Sequence, residues 1–373
     1  MLSPSLLIKQ IEVYKSPIRL KKPFITSLGA LEAAENIIVV IRTNGGHIGF
    51  GECSPFLTIN GESMETCFIV ASYLAKALLH NDPLNIMDCV LTMDRVIYGN
   101  ASIKSAFDMA LYDINAQHAG LPLYMFLNGN KHKKLITDYT VSIGEATQMA
   151  DDARAIIANG FEIIKVKLGG KPPEDIERIH RIREAVGPSL PLRIDANQGW
   201  EVNTAIEVLN ALAPYSIQHC EEPIPRWDFM NLSFVRKNSP IPIMVDETCC
   251  NAHDAKRLIE LQACDLLNVK LGKSGGIYEA LKIVRFAEAH KIAMQVGGFL
   301  ESRLGFTAAA HLSLASDYII HCDFDTPLMF AEDHVEDGIT YGKGGLIIVP
   351  ELPGLGASVD ERYLISLEKA IYS

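Results

Sequence analysis

Lys167, Asp195, Glu221, Asp246 and Lys270 recur at intervals of 28, 26, 25 and 24 residues, each at the end of a short strand-like run. That interval fits one strand plus one helix, so successive βα units would bring all five side chains into one mouth. Three ionised carboxylates in one pocket repel unless a cation neutralises them. Asp195, Glu221 and Asp246 offer hard oxygen ligands with no histidine or cysteine among them, which suits Mg2+ and disfavours zinc. The plainer alternative, that strand-end carboxylates cap the helices that follow, fits one such residue better than three in register.

Lys167 ends the second strand candidate and Lys270 the sixth, so the two face each other across an eight-stranded barrel. This is the geometry for two acid/base groups on opposite faces of one carbon. Lys165, two residues before Lys167, points the same way, and a neighbouring cation lowers a lysine pKa, which favours a base near neutral pH. The alternative is that the lysines only form ion pairs with the carboxylates. Taken together, the residues predict removal of an α-proton from a carboxylate substrate chelated to Mg2+, through an ene-diolate. One lysine takes the proton and the other returns one from the opposite side, giving the epimer.

The elements that must position these groups are legible as an alternation after Lys131. Strand candidates are DYTVSIG, FEIIKVKLG, PLRIDANQ, SIQHCEEP, IPIMVDET, CDLLNVKL, IAMQVGGF and YIIHCDFD, with amphipathic helix candidates such as PEDIERIHRIREAVG between them. Eight near-continuous apolar strands alternating with helices indicate an α/β fold with a parallel sheet closed into a TIM-type barrel over residues 129–325. No helix of comparable strength follows the eighth strand. Residues 1–128 read as an α+β domain: three strands, with a hairpin at Asn44-Gly45-Gly46, then three helices. KKPFITSLGALEAAE, between the first two strands, and Pro55–Gly61 read as mobile loops. Residues 326–373 are Gly- and Pro-rich and are expected to pack back on the first domain.

Composition narrows the partners. The chain has 373 residues, 48% hydrophobic and 21% charged, with a net charge of −11. An acidic balance argues against a nucleic-acid surface, and no apolar run approaches the ~20 residues of a membrane span. The N-terminus lacks the pattern of a signal peptide. The eight cysteines include no C-x-x-C and read as reduced thiols of a cytoplasmic protein. Barrels of this kind commonly self-associate, so a homo-oligomer is expected.

KVKLG, RIDANQGW, CEEP, VDET and NVKLGKSGGI resemble, in order and spacing, the muconate-lactonizing-enzyme branch of the enolase superfamily. SAFDMALYDINAQHAGLPLY and ESRLGFTAAAHL extend the likeness over nearly the whole chain. The superfamily's known use of a Lys or His base, with Mg2+ stabilising an ene-diolate, matches the chemistry suggested above. The resemblance implies an N-terminal capping domain, completed by C-terminal residues, over a modified (β/α)7β barrel. It makes Asp195, Glu221 and Asp246 the magnesium ligands, Lys167 and Lys270 the acid/base pair, and Lys165 a support for Lys167 that helps bind the substrate carboxylate. Glu222 stands where many relatives have Gln, and a supporting role behind the ligand is expected of it.

HCDFDTPLM places Asp323 and Asp325 on one side of the eighth strand, facing the mouth. Two carboxylates opposite a substrate carboxylate call for a cation, and this Asp-x-Asp resembles the signature of dipeptide epimerases, where it holds the ammonium group. Members acting on L-Ala-D/L-Glu often carry an arginine in the first-domain loop, where this chain has Gly29. Dipeptides of the L-Ala-Xaa type with a small or hydrophobic second residue are therefore expected. Phe24, Ile59, Phe299 and Leu300 are the expected pocket walls, with Gly29, Thr140 and Gly298 as further substrate contacts. The alternatives are an L-Ala-D/L-Glu epimerase, a cycloisomerase or o-succinylbenzoate synthase of the same branch, and an N-acylamino-acid racemase. The last two kinds of substrate lack an ammonium group for Asp323 and Asp325.

Overall fold

Ile8, Ile11 and Val13 are buried at the start of a long strand, β1 (Ile8–Thr26), in a computed structural model that describes residues 6–373. Strand β1 pairs antiparallel with β2 (Gly29–Thr43), and β2 with β3 (Ile48–Cys53) across the expected turn, where Gly46 has φ 86°. Helices α1 (Met64–Leu78), α2 (Ile86–Val96) and α3 (Ala101–His118) follow. Helix α3 is buried from Ser102 to Ala116, which leaves it between the meander and the barrel. Two glycines allow that. A Cβ at Gly49 or Gly51 would run into the carbonyls of Ala110 or Ala106, so β3 lies directly on the backbone of α3.

The segment read as a mobile loop, KKPFITSLGALEAAE, is instead the far end of the β1–β2 ribbon. Phe24 pairs with Leu31, Ile25 with Ala30 and Thr26 with Gly29, after an irregularity between Arg19 and Phe24. Ser27 and Leu28 make a two-residue turn, and Gly29 at φ 132° takes a conformation that other residues resist. Much of this ribbon is exposed, so its sequence lacks the alternation of a half-buried strand.

Eight parallel strands follow: Tyr139–Val141, Ile164–Lys167, Leu192–Asp195, Ile217–Glu221, Ile243–Val245, Leu266–Lys270, Ala293–Gly297 and Ile319–Cys322. They neighbour one another in chain order, and the sheet is brought round at its ends by a bridge between Thr137 and Cys322. The intervening helices include Pro172–Val186, Ile277–Ala289 and Arg303–Ser313, whose apolar faces pack on the strands in one large core. After the eighth strand the described residues hold only short helices, Thr326–Met329 and Glu361–Ser366, in keeping with a (β/α)7β pattern. The chain then returns to the first domain, where a last strand, Lys369–Tyr372, pairs antiparallel with β1. No helix among the described residues is long and apolar enough to cross a membrane.

Candidate active site

Parallel register sets Lys167 beside Asp195 and Asp195 beside Glu221. The charges interlock from there. Lys167 Nζ lies 2.7 Å from Asp195 Oδ2, and Lys165 Nζ lies 3.1 Å from that oxygen, 2.7 Å from Glu221 Oε2 and 2.8 Å from Asp323 Oδ2. On the other side Lys270 Nζ lies 2.8 Å from Asp246 Oδ2, and Lys273 Nζ 2.5 Å from Asp246 Oδ1. Glu221 also accepts from Asn268 Nδ2 at 2.8 Å and Gln295 Nε2 at 3.3 Å.

Burial opposes the charge of Asp195, but Lys167 and Lys165 outweigh it and hold its pKa below the usual range. Lys270 and Lys273 do the same for Asp246. Glu221 goes the other way: burial and then the nearby Asp195 push it up to about 7. Burial also works against Lys270, yet Asp246 and Glu221 raise its pKa. Lys165, read from the sequence as a neighbouring cation for Lys167, lies among three carboxylates, Asp195, Glu221 and Asp323. The Lys165 side chain is buried, at 1% exposure.

No three Asp, Glu, His or Cys side chains among the described residues close around one point as a ready metal cage. The lysine amines lie against these carboxylates, contacts that the ion-paired and the catalytic readings share. The donor set nevertheless fits Mg2+. Asp195, Glu221 and Asp246 are fully buried and offer oxygen alone, and burial together with the charges of Asp195 and Asp246 raises the pKa of Glu221, a cost that a hard divalent cation would relieve. The carboxylate oxygen Oε2 of neighbouring Glu247 is also buried without a hydrogen-bond partner.

Lys167, Lys270, Asp323 and Asp325 line one narrow cavity of about 40 Å³. The predicted walls Phe24, Ile59, Phe299 and Leu300 line it too, with Thr140 and Gly298. Gly29 does not. It borders an outer cavity of about 500 Å³ that shares Leu28, Phe56 and Leu300 with the inner one, because the hairpin turn points Leu28 inward and leaves Gly29 outside. Asp325 Oδ2 accepts from the Thr140 amide at 2.6 Å. Burial and then Asp323 push Asp325 up to about 7, whereas Lys165, Lys167 and Lys270 overcome burial and lower the pKa of Asp323.

Thr26, Leu28, Phe56, Asn197 and Thr326 also line the cavity and escaped the sequence reading. Phe24, Thr26 and Leu28 alternate, a signal available once the segment is treated as a strand. Lys273, three residues after Lys270, was likewise missed. Glu222 does not face the cavity. At φ 38° it turns under the next strand, where it accepts from the amides of Asp246 at 2.6 Å and Thr248 at 3.3 Å.

Two family descriptions match the chain: "Mandelate racemase / muconate lactonizing enzyme, N-terminal domain" over residues 8–128, and "Enolase C-terminal domain-like" over residues 148–363. The chain belongs to this family. A D-Ala-D/L-Ala epimerase of Cytophaga hutchinsonii is 60% identical over 364 residues, spanning 98% of this chain and 99% of that protein. The crystal structure of a dipeptide epimerase from Cytophaga hutchinsonii, complexed with Mg and D-Ala-L-Val, has a TM-score of 0.98 at 59% identity, covering 98% of this chain and 100% of that one. A more distant family member, the L-Ala-D/L-Glu epimerase of Bacillus subtilis, is 39% identical over 94% of this chain and 96% of its own.

Proposed function

We propose that this dipeptide epimerase inverts the α-carbon of the C-terminal residue of Ala-Xaa dipeptides whose second residue is small or apolar. One observation carries the reading: a pair of aspartates and a pair of opposed lysines share a single cavity whose remaining walls are largely apolar. Asp323 and Asp325 bind the substrate ammonium, and the substrate carboxylate lies towards Asp195, Glu221 and Asp246. These three would hold Mg2+, whose charge, when bound, makes the α-proton more acidic. Lys167 and Lys270 stand on opposite sides of the α-carbon, one removing the proton and the other delivering one. Phe24, Phe56, Phe299 and Leu300 exclude water from the exchange.

The side-chain preference rests on charge. Among the described residues, the cavity's only cationic lining residues are Lys167 and Lys270, both held by carboxylates, so neither is a free cation for a glutamate side chain. Lys21 and Lys22, on the ribbon, turn to a different cavity, where Lys21 donates to the Leu328 carbonyl and Lys22 lies 3.5 Å from Asp152. The Cytophaga hutchinsonii relative's name has D-Ala at the first position, which adds D-Ala to the L-Ala expected there. All eight cysteines are free thiols, which fits a reducing cytoplasm.

Mass spectrometry of L-Ala-Xaa and D-Ala-Xaa pools incubated with the protein and Mg2+ in D2O tests the reading. Small and apolar second residues gain one deuterium, and EDTA abolishes the gain. Dominant exchange in Ala-Glu would overturn the side-chain preference, and no exchange in any dipeptide would turn the search to cycloisomerase substrates.

A further inference from the structure

The eighth strand presents Asp323 and Asp325, yet it is weakly tied to the strand that should close the barrel beside it. Among the described residues the ladder between first and eighth strands is reduced to the Thr137–Cys322 bridge, with a 3.4 Å hydrogen bond from the Asp138 amide to the Cys322 carbonyl. Side chains take over. The Phe324 amide donates to Thr137 Oγ1 at 2.7 Å, and the Thr140 amide to Asp325 Oδ2 at 2.6 Å.

Beneath them lies Arg193, on the third strand, with 1% exposure. It reaches both sides of the seam. Its Nη1 donates to Asp138 Oδ2 at 2.7 Å and to the Cys322 carbonyl at 3.2 Å, and its Nη2 lies 2.8 Å from His321 Nδ1. Nε donates to Gln218 at 3.0 Å, which fixes the plane of the guanidinium. Asp138, fully buried, stands two residues before Thr140, and Cys322 immediately precedes Asp323. Lys165, the register neighbour of Arg193, holds Asp323 itself at 2.8 Å.

A buried ion pair is a weak means of stabilising a fold, because packed apolar side chains of like volume do as well. What this pair supplies is fixed geometry, since a guanidinium donates along several set directions at once where an ammonium is a point charge. We propose that Arg193, together with Asp138, is a positioning residue for substrate recognition: it closes the barrel seam and so sets Asp323 and Asp325 for the substrate ammonium. The assignment rests on reading those two aspartates as the ammonium site.

Steady-state kinetics of the full chain with Ala-Ala and Mg2+ test it in Arg193→Lys and Asp138→Asn, with Asp323→Asn as reference. The expected result is a KM raised about tenfold or more in all three, as loss of a charged hydrogen bond implies. In Arg193→Lys and Asp138→Asn, kcat stays within about threefold, the mark of lost binding rather than lost chemistry. A general structural defect would lower kcat or the active fraction without this split. A folded Arg193→Lys or Asp138→Asn with unchanged KM, while Asp323→Asn raises it, overturns the positioning role alone. Unchanged KM in Asp323→Asn overturns the ammonium reading and this assignment together. Should Arg193→Lys fail to fold, the milder Asp138→Asn decides.

Discussion

Lys167 Nζ lies 5.6 Å from the centre of the Phe24 ring, and Lys270 Nζ 5.0 Å from that of Phe299, so each amine has a carboxylate behind it and an aromatic face beside it. Such surroundings restrict where an amine can go, as general acid/base catalysis needs. Lys167→Ala and Lys270→Ala should each lower epimerisation by about 10²–10⁴-fold. Each variant should still exchange the α-proton of one epimer with solvent, and the two should retain opposite epimers. NMR of deuterium uptake from separate stereoisomers reads this directly; normal epimerisation in either variant ends the two-base assignment. The five recurring residues were visible in the sequence because a βα period places strand ends in register. Charge balance was not. Lys165 is buried among three carboxylates and Lys273 against Asp246, and which lysine meets which carboxylate depends on barrel curvature that spacing does not carry.

At the scale of elements, the glycines of β3 carry the argument. Gly51 faces the Ala106 carbonyl, and the next residue, Glu52, takes the Ser302 amide at 3.0 Å and the Gly305 amide at 2.9 Å at the start of helix Arg303–Ser313. Gly51→Ala must push β3 off α3 and pull Glu52 from that helix, at a cost of about 1–3 kcal/mol. Gly144→Ala, whose added Cβ meets only Met149 at 3.8 Å, should change stability by less than about 0.5 kcal/mol. Thermal melts of the two variants side by side check this, and equal stability would mean that β3 and α3 can separate freely. The strand itself was legible from its hairpin turn and apolar residues. The ribbon carrying Phe24, Thr26 and Leu28 was not, because exposed antiparallel strands owe their shape to each other's backbone rather than to an apolar face.

The parts of the molecule meet at His311. Its Nδ1 accepts from the Tyr124 amide at 3.1 Å and its Nε2 donates to the Leu355 carbonyl at 2.9 Å, joining the end of the first domain, a barrel helix and the C-terminal segment. The ring is fully buried and stacks on Tyr124 at 5.8 Å. Burial lowers its pKa to about 4, and a second proton would cancel the acceptor that Tyr124 uses. The unfolded chain takes that proton near pH 6.5 and the folded chain only near 4, so this stabilisation is present above pH 6.5 and is lost as pH falls towards 4. By pH 5 the loss is about 2 kcal/mol. Buried carboxylates with raised pKa values, such as Glu301 at about 7, act in the opposite sense, so a single pH profile would mix the two. Comparison with His311→Asn separates them, since the carboxylates are common to both proteins. Asn can still accept from the Tyr124 amide but does not titrate. The variant should be the less stable at pH 7.5, and the gap should narrow by about 2 kcal/mol at pH 5. Parallel stability curves across that range would mean that His311 holds the three parts together without sensing the proton.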